Sequence, residues 1–533
     1  MLGKRTRQVS IADVDGWYEK IPKRSFWHRI RTWSAASLSD DAFAAWYSPV
    51  GRPSIPPSYM LTLILVQLRF GWSDREVVDN AYFDDRVKFA LGVSRIPEIT
   101  CDHSTVCRYR ARFLESDMGR QILRETLHTA ADMGFLGDDE DLVDSFPIAA
   151  AAVRQGTHVL IYRAIGHVLN EAAEAKVAVP SLVRSDYGGR RKPQIAWRKE
   201  EARQALLEEL VLDGRRLVDA FCGRDLPESL LQAVDVLRMV VEQDITTDDH
   251  GRVVIAWKTA PDRVISVSDP EMRHGRKTSS QKYDGYKGHL LAQNTTADRP
   301  RLITAAAVTA ANVADGEVLP ELLKERAELT GEMPQQVMGD TAYGGVETRD
   351  RVAEVAPGTK LEAPVPPATT AGGRYPKTNF AIDLEAHTVT CPQGNTITYR
   401  PKAMIAGHKE TQSVRFPAAV CEACPVRSMC VGAKKGGRTI TIRGDEARVQ
   451  VLRAQQEDPA WQEHYRERSR VEHVNERVTA HGGRQARYRG REKSNWQMTM
   501  VAALHNIEEL ARVVEDAWHR ARPLRPKCLP EAT

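Results

Sequence analysis

The stretch Tyr465-Arg-Glu-Arg468-Ser-Arg-Val-Glu472-His-Val-Asn-Glu-Arg-Val478 combines a carboxylate, an apolar stripe and several arginines. At about 100° per residue a helix carries Tyr465, Arg468 and Glu472 on one face. Val471, Val474 and Val478 form a stripe beside it, the pattern of a helix docked on a core. Arg466, Arg470 and Arg477 line a third, basic side. A carboxylate held next to a packed stripe and flanked by arginines suits a metal site that handles phosphates. Taken alone, the same residues also describe a surface helix in which Arg468 and Glu472 are an i,i+4 pair, worth roughly a few tenths of a kcal/mol. Partner carboxylates elsewhere in the chain decide between the two.

Two short apolar runs supply them. Leu142-Val-Asp144 and Val337-Met-Gly-Asp340 each read as a strand that delivers an aspartate at its end. Open α/β sheets gather such end residues in a common crevice. Three carboxylates converging there would repel one another and resist ionisation, a cost that divalent cations remove. Oxygen-only ligands select Mg²⁺ or Mn²⁺, and two such ions ~4 Å apart suit in-line displacement at a phosphodiester. A single strand-end aspartate is more often a turn or cap residue, and Asp269, Asp284 and Asp350 are other acids nearby.

The elements that must position these acids follow a mixed rhythm. The chain has 533 residues, 42% hydrophobic and 27% charged, and a formal net charge of +4 from 75 basic and 71 acidic residues. That is globular composition with room for about three or four domains. The near-balance of charge leaves any nucleic-acid surface to local segregation of arginines and lysines. No run reaches the ~20 apolar residues of a membrane span, and the N-terminus lacks the apolar region of a signal peptide, so a cytoplasmic protein without membrane association is expected.

Residues 1–130 are expected to form an all-α N-terminal domain. A helix begins at Pro56-Pro57, Ser73-Asp-Arg-Glu76 is a capping box opening a second, and a third starts near Asp102-His-Ser104 with Arg108, Arg110 and Arg112 in its first turns. Helices arranged in this way are compatible with DNA contact; a helical bundle with a basic face is the alternative. Strand and helix patterns at 138–150, 250–355 and 445–515 form an α/β core. Strands are expected at Arg252-Val-Val-Ile, Arg263-Val-Ile, Tyr286-Lys287-Gly-His289 and Arg301-Leu-Ile, and a last helix from the capping box Ser494-Asn-Trp-Gln497. Both intervals between the three acids exceed the roughly 100 residues that the intervening strands and helix need. The excess coincides with a helical segment at 151–249 and a Pro-, Gly- and Cys-rich segment at 356–444. This accounting supports an RNase H-like mixed sheet with helices, interrupted by a helical insertion and a Cys-rich insertion. A basic tail occupies 516–533.

Cys391, Cys421, Cys424 and Cys430 suit a tetrahedral structural Zn²⁺ in a loop-rich segment that lacks a large core. Buried free thiols are the alternative, and four cysteines also accommodate an iron–sulfur cluster. Cys101, Cys107, Cys222 and Cys528 stand apart from any site.

Together these motifs resemble the DDE transposases of bacterial insertion sequences, closest to the IS1182 group within the IS5/IS4-like set. Asp102-His-Ser-Thr-Val-Cys-Arg-Tyr-Arg, Leu142-Val-Asp144-Ser, Asp269-Pro-Glu-Met-Arg-His-Gly-Arg-Lys, Val337-Met-Gly-Asp340-Thr-Ala-Tyr-Gly and Tyr465-x-x-Arg468-x-x-x-Glu472 carry the resemblance over nearly the whole chain. It implies that Asp144, Asp340 and Glu472 are catalytic and hold Mg²⁺ or Mn²⁺, that phosphodiester cleavage at element ends is followed by strand transfer, and that double-stranded DNA, element end and target, is bound by a homodimer. Tyr465, Arg468, Lys287, Arg273, Arg276, Lys277, Arg108 and Arg110 are the expected DNA contacts. The family signature often places a lysine seven residues after the glutamate, where this chain has Thr479. His289 is left outside the site as a core histidine. The alternatives are a non-catalytic DNA-binding derivative and an RNase H-like nuclease without strand transfer.

Overall fold

The computed structural model describes the chain apart from residues 5–15, 95–100, 138, 190–191, 258–259, 261, 279, 369–371, 402–410, 515–523 and 525–533. The expected basic tail, Leu524 excepted, and Cys528 therefore lie outside the described residues. Six strands form one mixed sheet: β1 Glu140–Ala149, β2 Arg273–Arg276, β3 Lys282–Gln293, β4 Ile303–Ala310, β5 Gln336–Met338 and β6 Lys360–Glu362. Their order is β2-β3-β1-β5-β6, with β4 also paired to β3. The β4-β3-β1 part is antiparallel and the β1-β5-β6 part parallel.

Both faces of the sheet are covered, which is why apolar residues follow one another along β1 instead of alternating with polar ones. Val143 packs with Leu291, Ala305 and the helix Asp315–Thr330 on one side. Leu142, Phe146 and Ile148 face the other. There the helix Arg491–Val513 lies along β4, and its amides close the strand's outer edge: Asn506 Oδ1 accepts from Ile303 N at 2.8 Å and Asn495 Oδ1 from Val308 N at 2.8 Å. Side-chain partners of this kind satisfy an edge that would otherwise present free backbone groups. The helix starts three residues before the expected capping box; Gly490 is its N-cap, and Ser494 Oγ turns back to Gly490 O.

The N-terminal helices join this core. Pro57–Phe70 is buried on nearly every side and ends at Gly71 (φ 67°). The Ser73–Glu76 capping box and the Asp102 cap of His103–Glu115 form as expected. One continuous apolar cluster runs from Ile30, Leu61 and Leu127 through Phe146, Leu290 and Val308 to Met500 and Leu504.

Residues 157–243 contribute the helices Thr157–Glu174, Glu200–Phe221 and Glu228–Gln243 around a separate apolar cluster. The strand expected near 252 is half of a small hairpin, Ile245–Thr247 with Val253–Ile255, outside the main sheet. The strand expected at 263 does not form: Val264 and Ile265 are buried in irregular backbone, where Ile265 O accepts from Gln155 N. The Cys-rich segment has its own small core and two small antiparallel sheets.

Candidate active site

The parallel ladder between β1 and β5 ends at Leu142 opposite Met338. Two residues further along stand Asp144, still in β1 and so on the face of Leu142, and Asp340, in the turn after β5, close enough for its charge to act on Asp144. Asp144 is not at a strand end as expected. β1 continues to Ala149, held by β3, with Asp144 opposite Leu290; only its pairing with β5 has stopped. Gly339 allows the approach, since a Cβ there would lie 2.9 Å from Val143 Cγ1 and 3.0 Å from the Tyr343 ring. Asp340 Oδ1 accepts from Ala342 N at 2.8 Å, which fixes the turn after the strand.

Burial pushes the Asp144 carboxyl above its ordinary range, and the neighbouring Asp340 charge adds to this; Arg468, the Ser145 backbone N–H and Asn475 act in the opposite direction. Tyr343 lies fully buried behind the pair, its hydroxyl also pushed up, first by burial and then by Asp315, Asp144 and Asp340. The push of a neighbouring carboxylate on Asp144 is of the kind a bound cation relieves.

The stretch expected as one helix, 465–478, is part of a segment broken into Glu446–Glu457, Pro459–Tyr465, a 3₁₀ turn Arg466–Ser469 and Arg470–Ala480. Asp458 caps the second piece ahead of Pro459. The tighter winding of the 3₁₀ turn changes the angular phase between Tyr465 and Glu472. The segment is anchored by Val471 and Tyr465, which pack on Leu142 and Met338. Tyr465 Oη donates to Gly339 O at 3.2 Å, and its ring stacks on Trp461, 4.8 Å between centroids. Trp461 in turn donates from Nε1 to Glu362 Oε2 at 2.6 Å. Arg468 is half-buried, its Nη1 shielded from solvent with no hydrogen-bond partner.

Glu472 is exposed on the first turn of the Arg470–Ala480 helix. One turn later Asn475 donates from Nδ2 to Asp144 Oδ2 at 2.5 Å, so the glutamate is carried by the helix that touches Asp144. The structure brings the two aspartates together and leaves the glutamate on the solvent side. Among the described residues, one trio of His, Cys, Asp or Glu side chains has ligand atoms all within 4.8 Å of one another: Glu140, His464 and Glu467, at the opposite end of the same strands. Its oxygens are already engaged by the Asn294 and Gln336 amides and by Arg470, so it acts as a polar clamp holding the 464–470 segment on β1.

The other expected contacts are dispersed. Lys287 pairs in register with Pro147 and so shares the face opposite Asp144; its Nζ binds Asp315 Oδ1 at 2.7 Å and Val313 O at 2.8 Å. His289 is buried and bonded to Thr309 Oγ1 at 2.8 Å. Arg110 is engaged by Asp74 and Gln67 and stacks over Tyr488. Arg108, Arg276 and Lys277 are exposed, whereas Arg273 is turned back onto Pro270 O and Met272 O. Thr479 bonds Asn475 O through Oγ1 at 2.6 Å. The motifs assign no role to Asn475 or to Tyr343, which stands within the Asp340 motif; the fold sets both beside Asp144.

Cys391, Cys421, Cys424 and Cys430 line one cavity of about 20 Å³, room for about one water-sized sphere. Backbone and amide donors reach two of the sulfurs: Arg438 N to Cys421 Sγ at 3.5 Å and Asn395 Nδ2 to Cys391 Sγ at 3.7 Å. Cys107 donates to Asp74 Oδ2, and Cys101 and Cys222 are free thiols away from this cluster.

No helix among the described residues is long and apolar enough to cross a membrane. A family model described as "Transposase DDE domain" matches residues 390–511, which include Cys391–Cys430 and Glu472. A second, described as "Transposase domain (DUF772)", matches residues 15–112. No curated protein and no solved structure gives a match. The two matches put a transposase domain towards each end of the chain, the C-terminal one of the DDE type.

Proposed function

We propose that this transposase cleaves the phosphodiester at the ends of its element and joins the freed 3′-hydroxyl to target DNA, with Asp144, Asp340 and Glu472 as its catalytic carboxylates, in an RNase H-like core of the IS1182 type. The observation that carries this reading is that Asp144, two residues past the last β1–β5 pair, and Asp340, two residues past it in the turn after β5, come close enough for the Asp340 charge to act on the Asp144 carboxyl.

The donor set fits a divalent cation. All three side chains offer carboxylate oxygens, which suit Mg²⁺ or Mn²⁺, and the repulsion on Asp144 is of the sign a cation removes. Such ions, when bound, supply Lewis acidity for activating an attacking oxygen and stabilising a leaving one. The remaining work falls to the chain. Arg468 offers an unused N–H of a fork that matches phosphate oxygens. The Tyr465–Gly339 bond holds the 3₁₀ turn, and with it Arg468, at the end of β5. The apolar contact of Val471 with Leu142 and Met338 sets the depth of the helix bearing Glu472. The exposed Arg108, Arg276 and Lys277 contact DNA phosphates away from the reacting bond. A homodimer would bring two element ends together.

Four cysteines offer the all-sulfur donor set of a structural Zn²⁺ and line one small cavity, although no three of their sulfurs lie within 4.8 Å of one another.

The test is nicking and joining of DNA carrying the inverted repeats that flank the coding region, with purified full-length protein and Mg²⁺ or Mn²⁺. Cation-dependent nicks at the repeat ends and joined products support the proposal. Binding without nicking would establish a DNA-binding derivative instead, and nicks without joined products a nuclease.

A further inference from the structure

Asn475 is 6% exposed, and both ends of its amide are informative. Its Nδ2 donates to Asp144 Oδ2 at 2.5 Å, and its Oδ1, shielded from solvent, meets no donor. Its backbone is held as well: Thr479 Oγ1 bonds Asn475 O at 2.6 Å, at the position where the related signature carries a lysine. Val474 and Val478 bury the adjacent stripe of the helix in the main core, while Val471 docks on Leu142 and Met338. The rotation of this helix is therefore fixed on two sides of Asn475. Residues three apart lie on neighbouring positions of one helix face, so whatever fixes Asn475 also fixes Glu472.

We propose that Asn475 is a positioning residue of the active site: its amide orients the Asp144 carboxylate and, through the helix they share, aligns Glu472 with it. This rests on the reading of Asp144 as a catalytic carboxylate. An asparagine suits the task because it gives Asp144 a neutral donor. A leucine of similar size would leave Oδ2 without that partner, and an aspartate would face it with a second carboxylate. Asp144 Oδ1 has no part in the bond.

The experiment compares full-length parent, Asn475→Leu, Asn475→His and Asp144→Asn. The histidine Nδ1 stands two bonds from Cβ, as the asparagine amide nitrogen does, and restores a donor. Mn²⁺ binding is titrated without DNA, and nicking is measured against Mn²⁺ and DNA concentration. Asn475→Leu is expected to raise the half-saturating Mn²⁺ concentration and lower kcat, each about tenfold or more, with the KM for DNA unchanged; Asn475→His recovers much of both. An unchanged Mn²⁺ response in Asn475→Leu, or an equal loss in both variants with a lowered melting temperature, overturns the positioning role. If the leucine variant does not fold, Asn475→Ser, which is smaller and too short to reach Asp144, gives the same readout. An Asp144→Asn protein that nicks as well as the parent shows instead that the catalytic reading itself has failed, and the inference with it.

Discussion

Asp144 within β1 and Asp340 in the turn after β5 each stand two residues beyond Leu142 and Met338, the last pair of the parallel ladder. The strands and the turn after β5 set where they stand, so little side-chain ordering would remain if a cation bound as proposed. Asp340→Asn keeps the size and the Ala342 N–H partner while removing the charge. Nicking by this variant is expected to fall on the order of 1000-fold or more, because several kcal/mol of transition-state stabilisation pass through such a site. Unchanged circular dichroism with full nicking activity would remove Asp340 from the site.

Arg468 presents a shielded Nη1 with no partner beside Asp144. Arg468→Lys keeps the charge but not the planar fork. Loss of a preorganised donor to a charged transition state lowers kcat by about 100-fold, and the lysine variant is expected to fall in that range with DNA affinity changed far less. Equal losses of kcat and affinity would place Arg468 in general DNA binding.

The cysteine cavity predicts about one zinc ion per chain, measured by elemental analysis of protein purified without added metal. Cys424→Ser is expected to lose it and to open residues 356–444 to protease. A chain with neither zinc nor iron at full activity would make the four cysteines ordinary core thiols.

His505 is fully buried, its Nε2 at 2.8 Å from Arg301 O and its Nδ1 without a partner. Burial holds its pKa down at about 3, against an ordinary value of 6.5. The unfolded chain therefore takes up a proton below pH 6.5 that the folded one refuses until near pH 3. Stability from this group is complete above 6.5 and declines as pH falls, by about 1.4 kcal/mol at pH 5.5. Denaturant titrations at pH 7.5 and 5.5 should show that difference shrinking in His505→Gln; an identical pH response in parent and variant would refute it.

Arg326 and Asp141 form an ion pair at 3.0 Å with each side chain 1% exposed, between the helix Asp315–Thr330 and β1. Removing one member strands the other charge in the interior, which costs about 3–5 kcal/mol. Arg326→Met should lower the denaturation midpoint accordingly, a shift readable by fluorescence.

Short-range signals in the sequence located most of the elements. Capping at Ser73 and Asp102, the apolar run after Pro57 and the two strands that bring in the aspartates stand where their residues put them, because caps and alternation act within a few positions. What needed the fold was the company each residue keeps. Lys287 sits on the same strand as residues opposite Asp144, but its alternation sends it to the far face, where Asp315 holds it. The phase break at Arg466–Ser469 has no breaker of its own beyond the capped restart at Pro459. Ser494 has the pattern of a cap yet lies inside a helix, since Gly490 and the preceding turn allow an earlier start. Asn475 carries no motif, and only the contact with a residue far away in sequence gives it meaning.

The continuous cluster joining Leu61 and Leu127 to Phe146, Met500 and Leu504 has a consequence for how length is measured along DNA. Helices near the N-terminus and the carboxylates on the sheet are parts of one solid body, with no hinge between them in that core. If the proposed function holds and those helices grip the duplex, it would reach the carboxylates at a constant offset, the protein would work as a ruler, and inserting a few base pairs between grip and cut should move the cut within the sequence while leaving its distance from the grip unchanged.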